Sequence, residues 1–167
     1  FNPVMTVGDQ VAEMIRTHST CGRTEARARA VEWLRRVGIP RPEEAYDAYP
    51  HELSGGLKQR AMIAMALSAD PKVVVADEPT TALDVTVARQ VLELLNDLKR
   101  ERGLTLIFIT HDLALLPGIA DRVALMYAGE IVEMAPTEAF LAHPEHPYAQ
   151  ALLGALPRPD GAPLQPV

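Results

Sequence analysis

Two apolar stretches of the sequence run directly into side chains that can do chemistry. Residues 73–76 are followed by Asp77 and Glu78, and residues 104–110 are followed by His111. In open α/β sheets, ligands bind beyond the carboxyl ends of parallel strands, so these three side chains would converge on one edge. A carboxylate there can hold Mg2+ through water, and a second can polarise an attacking water. Asp77 and Glu78 fit those roles, although Asp-Glu-Pro is equally typical of an ordinary turn.

Ser54, Gly55 and Gly56 form a second candidate site, suited to an anion. Two glycines at a helix start leave backbone N–H groups uncovered, and the helix dipole favours negative charge there. Ser54 adds a hydroxyl group. Taken alone, such a start is a simple helix cap at least as often as a ligand site.

Helices precede and surround these residues. Thr6 can cap a first helix, and Thr24 can begin a second that ends at Gly38. After a loop punctuated by prolines, Ser54 begins a helix over residues 55–69. The first third of the chain is therefore predicted to be helical.

The predicted strands follow. Residues 73–76 show no polar alternation, which predicts a strand buried on both faces. Asp84 can cap a helix that ends at Gly103, and residues 104–110 form the next strand. Strand, helix and strand make a βαβ unit with a parallel pair and a right-handed crossover. Two further strands are predicted over residues 121–127 and 130–134, joined through Gly129. A helical tail follows from Pro136.

Composition excludes several classes of protein. The 167 residues are 48% hydrophobic and 23% charged, which is ordinary for one globular domain or lobe. The net charge of -6 opposes attraction to nucleic acid. Cys21 is alone, so the chain can form no internal disulfide, and a reducing, cytoplasmic compartment fits. No apolar run approaches the roughly 20 residues of a membrane-spanning helix, so any membrane association is predicted to be peripheral.

Four segments, in order, resemble motifs of the ATP-binding cassette (ABC) ATPases. Leu53-Ser54-Gly55-Gly56-Leu57-Lys58-Gln59-Arg60 resembles the LSGGQ signature, with a leucine in place of the motif's glutamine, as in peptide-importer members. Residues 73–78 resemble the Walker B strand. Thr81-Ala82-Leu83-Asp84 is similar to the D-loop, and His111 to the switch histidine.

The C-terminal tail indicates which class of ABC ATPase the chain resembles. Residues 146–153, HPYAQALL, are similar to the C-terminal extension of oligopeptide, dipeptide and nickel importer ATPases. None of the ten glycines is followed by lysine, so the Walker A loop G-x-x-x-x-G-K-[ST] is absent, as is the Q-loop glutamine. By the resemblance, residues 1–3 should lie just after the Q-loop. We therefore expect both missing motifs upstream of residue 1 in a longer protein.

The resemblance implies an α/β fold, namely part of a P-loop NTPase cassette. A helical subdomain with the signature would span residues 1–70. The Walker B, D-loop and switch-histidine part of the α/β core would span residues 71–135, and the importer-type extension residues 136–167. Removing neighbouring strands from such a sheet should expose its edges and apolar faces.

The same resemblance implies ATP and Mg2+ as cofactors and assigns roles to seven residues. The implied sites are catalytic for Glu78 and His111, nucleotide-binding for Ser54, Gly55, Gly56, Asp77 and Asp84, and metal-binding, through water, for Asp77. The signature residues would contact the γ-phosphate of ATP held by a partner subunit. The intact parent would couple ATP hydrolysis to import of peptides or similar small solutes, and this chain alone would hydrolyse nothing.

The implied partners are a second ABC ATPase subunit, transmembrane permease subunits and, indirectly, a substrate-binding protein, at the cytoplasmic face of the membrane. No nucleic-acid partner is expected. One alternative is a cassette that acts in DNA repair or translation, which should lack the importer-type tail. Another is a non-catalytic module that only donates its signature to a partner's ATP.

Three further features have plainer interpretations. His143-Pro144-Glu145-His146 predicts a surface turn rather than a metal site, because prolines flank it and a third ligand is not evident. Tyr46 and Tyr49 precede the signature and fit either a surface for membrane subunits or packing of the loop. The arginine-rich run over residues 23–36 is typical of a solvated helix face.

Overall fold

The computed structural model describes residues 1–81 and 83–156. It divides into two compact units, one spanning Phe1–Ile109 and one beginning at Thr110. The predicted boundaries after residues 70 and 135 separate parts of the chain by function, whereas the two units are separated by their internal contacts. The functional boundaries therefore stay a prediction. The end of the predicted tail, residues 157–167, lies outside the described residues.

The described part of the first unit contains five α-helices. They are α1 Val7–His18, α2 Arg23–Arg36, α3 Pro42–Asp47, α4 Gly55–Leu67 and α5 Val85–Arg102. The prediction that the first third is helical is confirmed. Thr6 caps α1 by accepting the N–H of Asp9 at 3.2 Å, as its sequence position indicates. The second helix begins at Arg23 instead, after Gly22, which has no side chain for a cap.

The core of the first unit lies among these helices. Apolar residues of α1 recur at helical spacing and face the other helices. Fully buried side chains in this core include Val7, Val11, Ile15, Leu34 and Leu67. Arg60 of α4 also joins neighbouring elements, because its guanidinium donates to the carbonyl of Val37 at 2.7 Å and to Gln90 of α5 at 3.1 Å. The middle of α4 is thereby tied to the end of α2 and to α5.

Strands β1 Val73–Asp77 and β2 Thr105–Ile109 form the predicted parallel pair, connected by α5. Burial on both faces, however, is wrong for β1. Val75 is 60% exposed and Ile107 of β2 is 49% exposed. Val74, by contrast, packs against the core of the first unit. The physical reason is that, among the residues that the structure describes, α4 and α5 cover one face of the pair, so alternate residues face solvent.

The second unit is built on a hairpin. Strands β3 Arg122–Tyr127 and β4 Glu130–Pro136 pair antiparallel, with a register shift between Leu125 and Met126. Ala128 and Gly129 connect them with φ angles of 51° and 86°. Both values are left-handed, as a two-residue hairpin turn requires, so the predicted junction at Gly129 is confirmed.

Two short helices complete the described part of this unit, α6 Thr137–Ala142 and α7 Pro147–Gly154. Phe140 of α6 is fully buried against Val123 and Leu125 of β3. The helical tail predicted from Pro136 is thus present up to Gly154, the last residue of α7. Among the described residues, we find no helix with the length and apolar character needed to cross a membrane.

Candidate functional site

The carboxyl end of β1 carries the predicted pair of carboxylates. Asp77 is the last residue of the strand and lies opposite Ile109, the last residue of β2. Glu78 follows with a φ of 43°, and its N–H donates to the carbonyl of Ile109 at 3.0 Å. Both carboxylates are exposed. The two strands therefore end together, and the acidic pair stands at their shared edge.

Glu78 also begins a turn, so the plainer interpretation of Asp-Glu-Pro holds alongside the chemical one. The N–H of Thr81 donates to the carbonyl of Glu78 at 3.1 Å, which closes a four-residue turn. The hydroxyl of Thr81 donates to Oε2 of Glu78 at 2.8 Å. Sequence reasoning missed this contact. The signal available was a hydroxyl residue three positions after the carboxylate, at the end of a proline turn.

His111 lies beyond the carboxyl end of β2, as predicted, although the strand ends at Ile109 rather than at residue 110. It is exposed and lies at the start of the second unit. Its proposed role therefore rests on its place in the chain just beyond a strand that does reach the site. The neighbouring Asp112 begins a short 3-10 turn by accepting the N–H of Ala114 at 3.0 Å.

The signature residues stand at the start of α4. Ser54 is the N-cap, and its hydroxyl accepts the N–H of Leu57 at 3.4 Å. Gly55 and Gly56 are the first two helical residues, and the first turn of α4 holds no acidic side chain. This start exposes N–H groups at the positive end of a helix dipole, which is chemically suited to an anion.

The start of α5 lies directly beside the start of α4. A Cβ placed on Gly56 would come within 2.5 Å of Cγ1 of Val87 in the first turn of α5. At Gly55 the nearest atom would be Cδ2 of Leu83 at 3.5 Å, an ordinary contact. The second glycine is therefore required for the close approach of the two helices. Their positive ends lie side by side and reinforce each other's attraction for an anion.

Asp84 is the N-cap of α5. Its Oδ1 accepts the N–H of Val87 at 2.9 Å, and the first turn of α5 holds no acidic residue beyond this cap. The capping role predicted from the sequence is thus confirmed, and a nucleotide-binding role for Asp84 stays a prediction. The structure brings Asp84 and the signature glycines together through the contact between α4 and α5.

Burial and hydrogen bonds distinguish between the two interpretations of Tyr46, packing or a surface for membrane subunits. Tyr46 is only 3% exposed and donates its hydroxyl to Asp9 at 2.8 Å, so it packs within the first unit rather than forming a surface. Burial and this bond raise the pKa of Tyr46 to about 12, although the guanidinium of Arg27 over its ring acts in the opposite direction. Tyr49 is 40% exposed and remains available to a partner.

The histidine-containing segment before α7 forms the predicted turn. The carboxylate of Glu133 accepts the N–H groups of Glu145 and His146 at 3.1 and 2.8 Å. Nδ1 of His146 accepts the N–H of Tyr148 at 3.1 Å and so caps the helix. These bonds account for the polar residues here as parts of a helix start.

Comparison with known families agrees with this arrangement of motifs. Residues 1–81 match the family described as ABC transporter. Residues 132–165 match the family described as oligopeptide/dipeptide transporter, C-terminal region. The two matches support the resemblance to importer-type ABC ATPases that the motifs indicated. The second match lies in the tail where the sequence resemblance placed the importer-type extension.

Curated relatives cover nearly the whole chain. The Oligopeptide transport ATP-binding protein OppD of Bacillus subtilis (strain 168) is 51% identical over 157 residues, which are 94% of this chain and 44% of OppD. The Putative peptide import ATP-binding protein BMEII0863 of Brucella melitensis biotype 1 is 51% identical over 95% of this chain and 47% of its own length. The Glutathione import ATP-binding protein GsiA of Escherichia coli (strain K12) is 52% identical, over 95% of this chain and 25% of GsiA. The chain thus spans less than half the length of these relatives.

Solved structures of the ABC cassette MJ0796 share the fold. Two dimeric MJ0796 structures, one of which is bound to ADP and Pi, align with a TM-score of 0.70 and 30% identity. The alignment covers 81% of this chain and 58% of the MJ0796 chain. The predicted fold class, part of an α/β P-loop NTPase cassette, is confirmed.

Proposed function

We propose that this chain is part of the ATP-binding subunit of an ABC importer, which couples ATP hydrolysis to uptake of peptides or similar small solutes. Support comes from the importer-type tail at residues 132–165 and from relatives whose names specify oligopeptide transport, peptide import and glutathione import. The tail favours this function over a cassette of DNA repair or translation. We further propose that the chain on its own hydrolyses no ATP, because its 167 residues contain no Walker A loop.

The observation that carries the proposal is the acidic pair at the shared end of β1 and β2. Asp77 offers hard carboxylate oxygens at an exposed strand end, which fits Mg2+ bound through water. When bound, Mg2+ would offset negative charge on the phosphates. Glu78 would accept a proton from the attacking water, and His111 would contact the γ-phosphate. The backbone bond from Glu78 to Ile109 supports this assignment because it anchors the proposed base to the sheet.

The signature would act on nucleotide held by a second subunit. Ser54, Gly55 and Gly56 would donate to its γ-phosphate, with Asp84 close by at the start of α5. The paired positive helix ends and the lack of acidic residues in the first turn of α4 support this role. The MJ0796 structures, which are dimeric, support a second ABC ATPase subunit as the partner.

The other proposed partners follow from the kind of transporter. An importer of this type would place its ATPase subunits against transmembrane permease subunits at the cytoplasmic face of the membrane, and a substrate-binding protein would act indirectly. Exposed Tyr49 lies just before the signature and is available for such a contact. In functional terms, residues 1–70, 71–135 and 136–167 would serve as the helical, catalytic and importer-specific parts.

The test is ATP hydrolysis by the full-length protein that contains this chain. Glu78→Gln should abolish turnover while nucleotide binding persists, since removing a general base costs roughly 10²–10⁴-fold in rate. Glu130→Gln is the matched control, because it makes the same chemical change at an exposed residue in the second unit. Wild-type turnover in Glu78→Gln would refute the assignment. A wild-type protein that binds nucleotide without turnover would instead identify the non-catalytic, signature-donating alternative.

A further inference from the structure

We infer that Thr81 is a positioning residue that holds the carboxylate of Glu78 in its working orientation. The inference rests on the proposed function, because it takes Glu78 to be the catalytic base. Its ground is the bond of 2.8 Å from the hydroxyl of Thr81 to Oε2 of Glu78. That separation is typical of an O–H···O hydrogen bond. An ionised carboxylate can only accept, so the hydroxyl must be the donor.

The backbone around this bond is already tied at two points. The N–H of Glu78 donates to Ile109, and its carbonyl accepts from the N–H of Thr81. Glu78 also holds a φ of 43°, a conformation that side-chain-bearing residues rarely adopt. The main chain of Glu78 is therefore set by β2 and by the turn, so the position of its carboxylate depends on the rotamer of its side chain.

The hydroxyl of Thr81 helps to select that rotamer. An exposed glutamate has several staggered rotamers at each aliphatic bond, and ordering them costs entropy. A directional bond to Oε2 selects the rotamers that keep this oxygen over the turn, and it thereby sets the plane in which the other oxygen can meet a water. A base must reach its proton within hydrogen-bond distance, so this orientation bears on the rate of the chemical step.

Thr81 lies at the first position of the D-loop segment, residues 81–84, whose last residue caps α5. The carboxylate of Glu78 is thus hydrogen-bonded to a residue three positions before Asp84, the cap of α5. The first turn of α5 packs against Gly56. Thr80, the preceding residue, differs in its role. Its carbonyl accepts the N–H of Leu83 at 3.2 Å and so shapes the turn through the backbone.

Two variants separate the hydroxyl from the shape of the side chain. Thr81→Val keeps the branched shape and removes the donor, whereas Thr81→Ser keeps the donor. In the full-length protein, Thr81→Val should lower kcat for ATP hydrolysis roughly tenfold with an unchanged KM, as expected when a reacting group is misplaced. Thr81→Ser should retain kcat. Thr80→Val is the matched control and should also retain it.

A second measurement distinguishes positioning from a general effect on folding. Under single-turnover conditions, Thr81→Val should cause no further loss in a Glu78→Gln background, because the group that it positions is already gone. The inference is overturned if Thr81→Val keeps full kcat, if Thr81→Ser loses as much as Thr81→Val, or if the two losses multiply. If Glu78→Gln itself keeps its turnover, the proposed catalytic role fails first. If Glu78→Gln loses turnover but Thr81→Val keeps its kcat, the catalytic role of Glu78 stands and the positioning role of Thr81 is refuted.

Discussion

Replacing Gly56 with alanine tests the closest approach between two helices at the candidate site. The new Cβ would lie 2.5 Å from Cγ1 of Val87, well inside van der Waals contact. Relief by rotating Val87 is restricted, because a β-branched residue in a helix has one strongly preferred χ1 rotamer. The first turns of α4 and α5 would therefore have to separate, and the signature would move with them.

The expected magnitude follows from two opposing effects. Forcing an extra carbon into a packed contact costs about 1–3 kcal/mol. Replacing glycine by alanine inside a helix returns about 0.5–1 kcal/mol, because the unfolded chain has less freedom to lose. The overpacking effect is larger, so Gly56→Ala should lower the free energy of unfolding by roughly 1–2 kcal/mol.

Gly55→Ala is the matched control. Its Cβ would meet only Cδ2 of Leu83 at 3.5 Å, an ordinary contact, so the free energy of unfolding should stay the same or rise slightly. Val87→Ala supplies the rescue, because the next nearest atom to the added carbon is Cβ of Val87 at 3.8 Å. The double variant Gly56→Ala/Val87→Ala should therefore be more stable than the sum of the two single effects predicts.

The assay is urea unfolding of the four full-length variants beside the wild type, with ATP hydrolysis measured in parallel. Equal stability of Gly56→Ala and Gly55→Ala would refute the packing argument. Simple additivity in the double variant would refute it as well. If the double variant regains stability but not turnover, the backbone of Gly56 is needed for nucleotide in addition to packing.

Two other predictions concern stability. Tyr46→Phe should lower the free energy of unfolding by about 1 kcal/mol through loss of the bond to Asp9, while Tyr49→Phe at an exposed site should not. Because the pKa of Tyr46 is raised to about 12 in the folded state, its contribution is present below pH 10 and is lost as pH rises toward 12. Tyr46→Phe should flatten that alkaline decline in urea unfolding measured across pH, and an unchanged slope would contradict this. Asp84→Ala should lower the free energy of unfolding by about 1 kcal/mol, because α5 loses its cap. Asp84→Asn should lower it much less, since asparagine also caps helices. Equal losses for the two variants in thermal unfolding would exclude the capping role.

Local signals in the sequence were sufficient for most of the elements and for the positions of the acidic pair and the signature. Thr6, Ser54 and Asp84 each cap the helix that they were predicted to begin, because a capping side chain bonds to backbone only two or three residues away. Glycines with positive φ end α5 at Gly103 and join β3 to β4 at Gly129, as predicted. The resemblance to ABC ATPases rests on the same kind of short, ordered motifs, and comparison with known families confirmed it.

Contacts between segments far apart in the chain were decided only by the tertiary structure. The apolar run of β1 predicted burial on both faces, yet Val75 is exposed, because burial depends on which elements cover the strand rather than on its own composition. The contact of Gly56 with Val87 spans two helices that no local pattern aligns. Tyr46 could be assigned to packing only once its partners on α1 and α2 were in place. The sequence by itself determined the order of the elements, several of the helix caps and the acidic pair at the end of β1, because these depend on neighbouring residues. The covered faces and the close helix contact depend on packing between distant segments, so only the tertiary structure decided them.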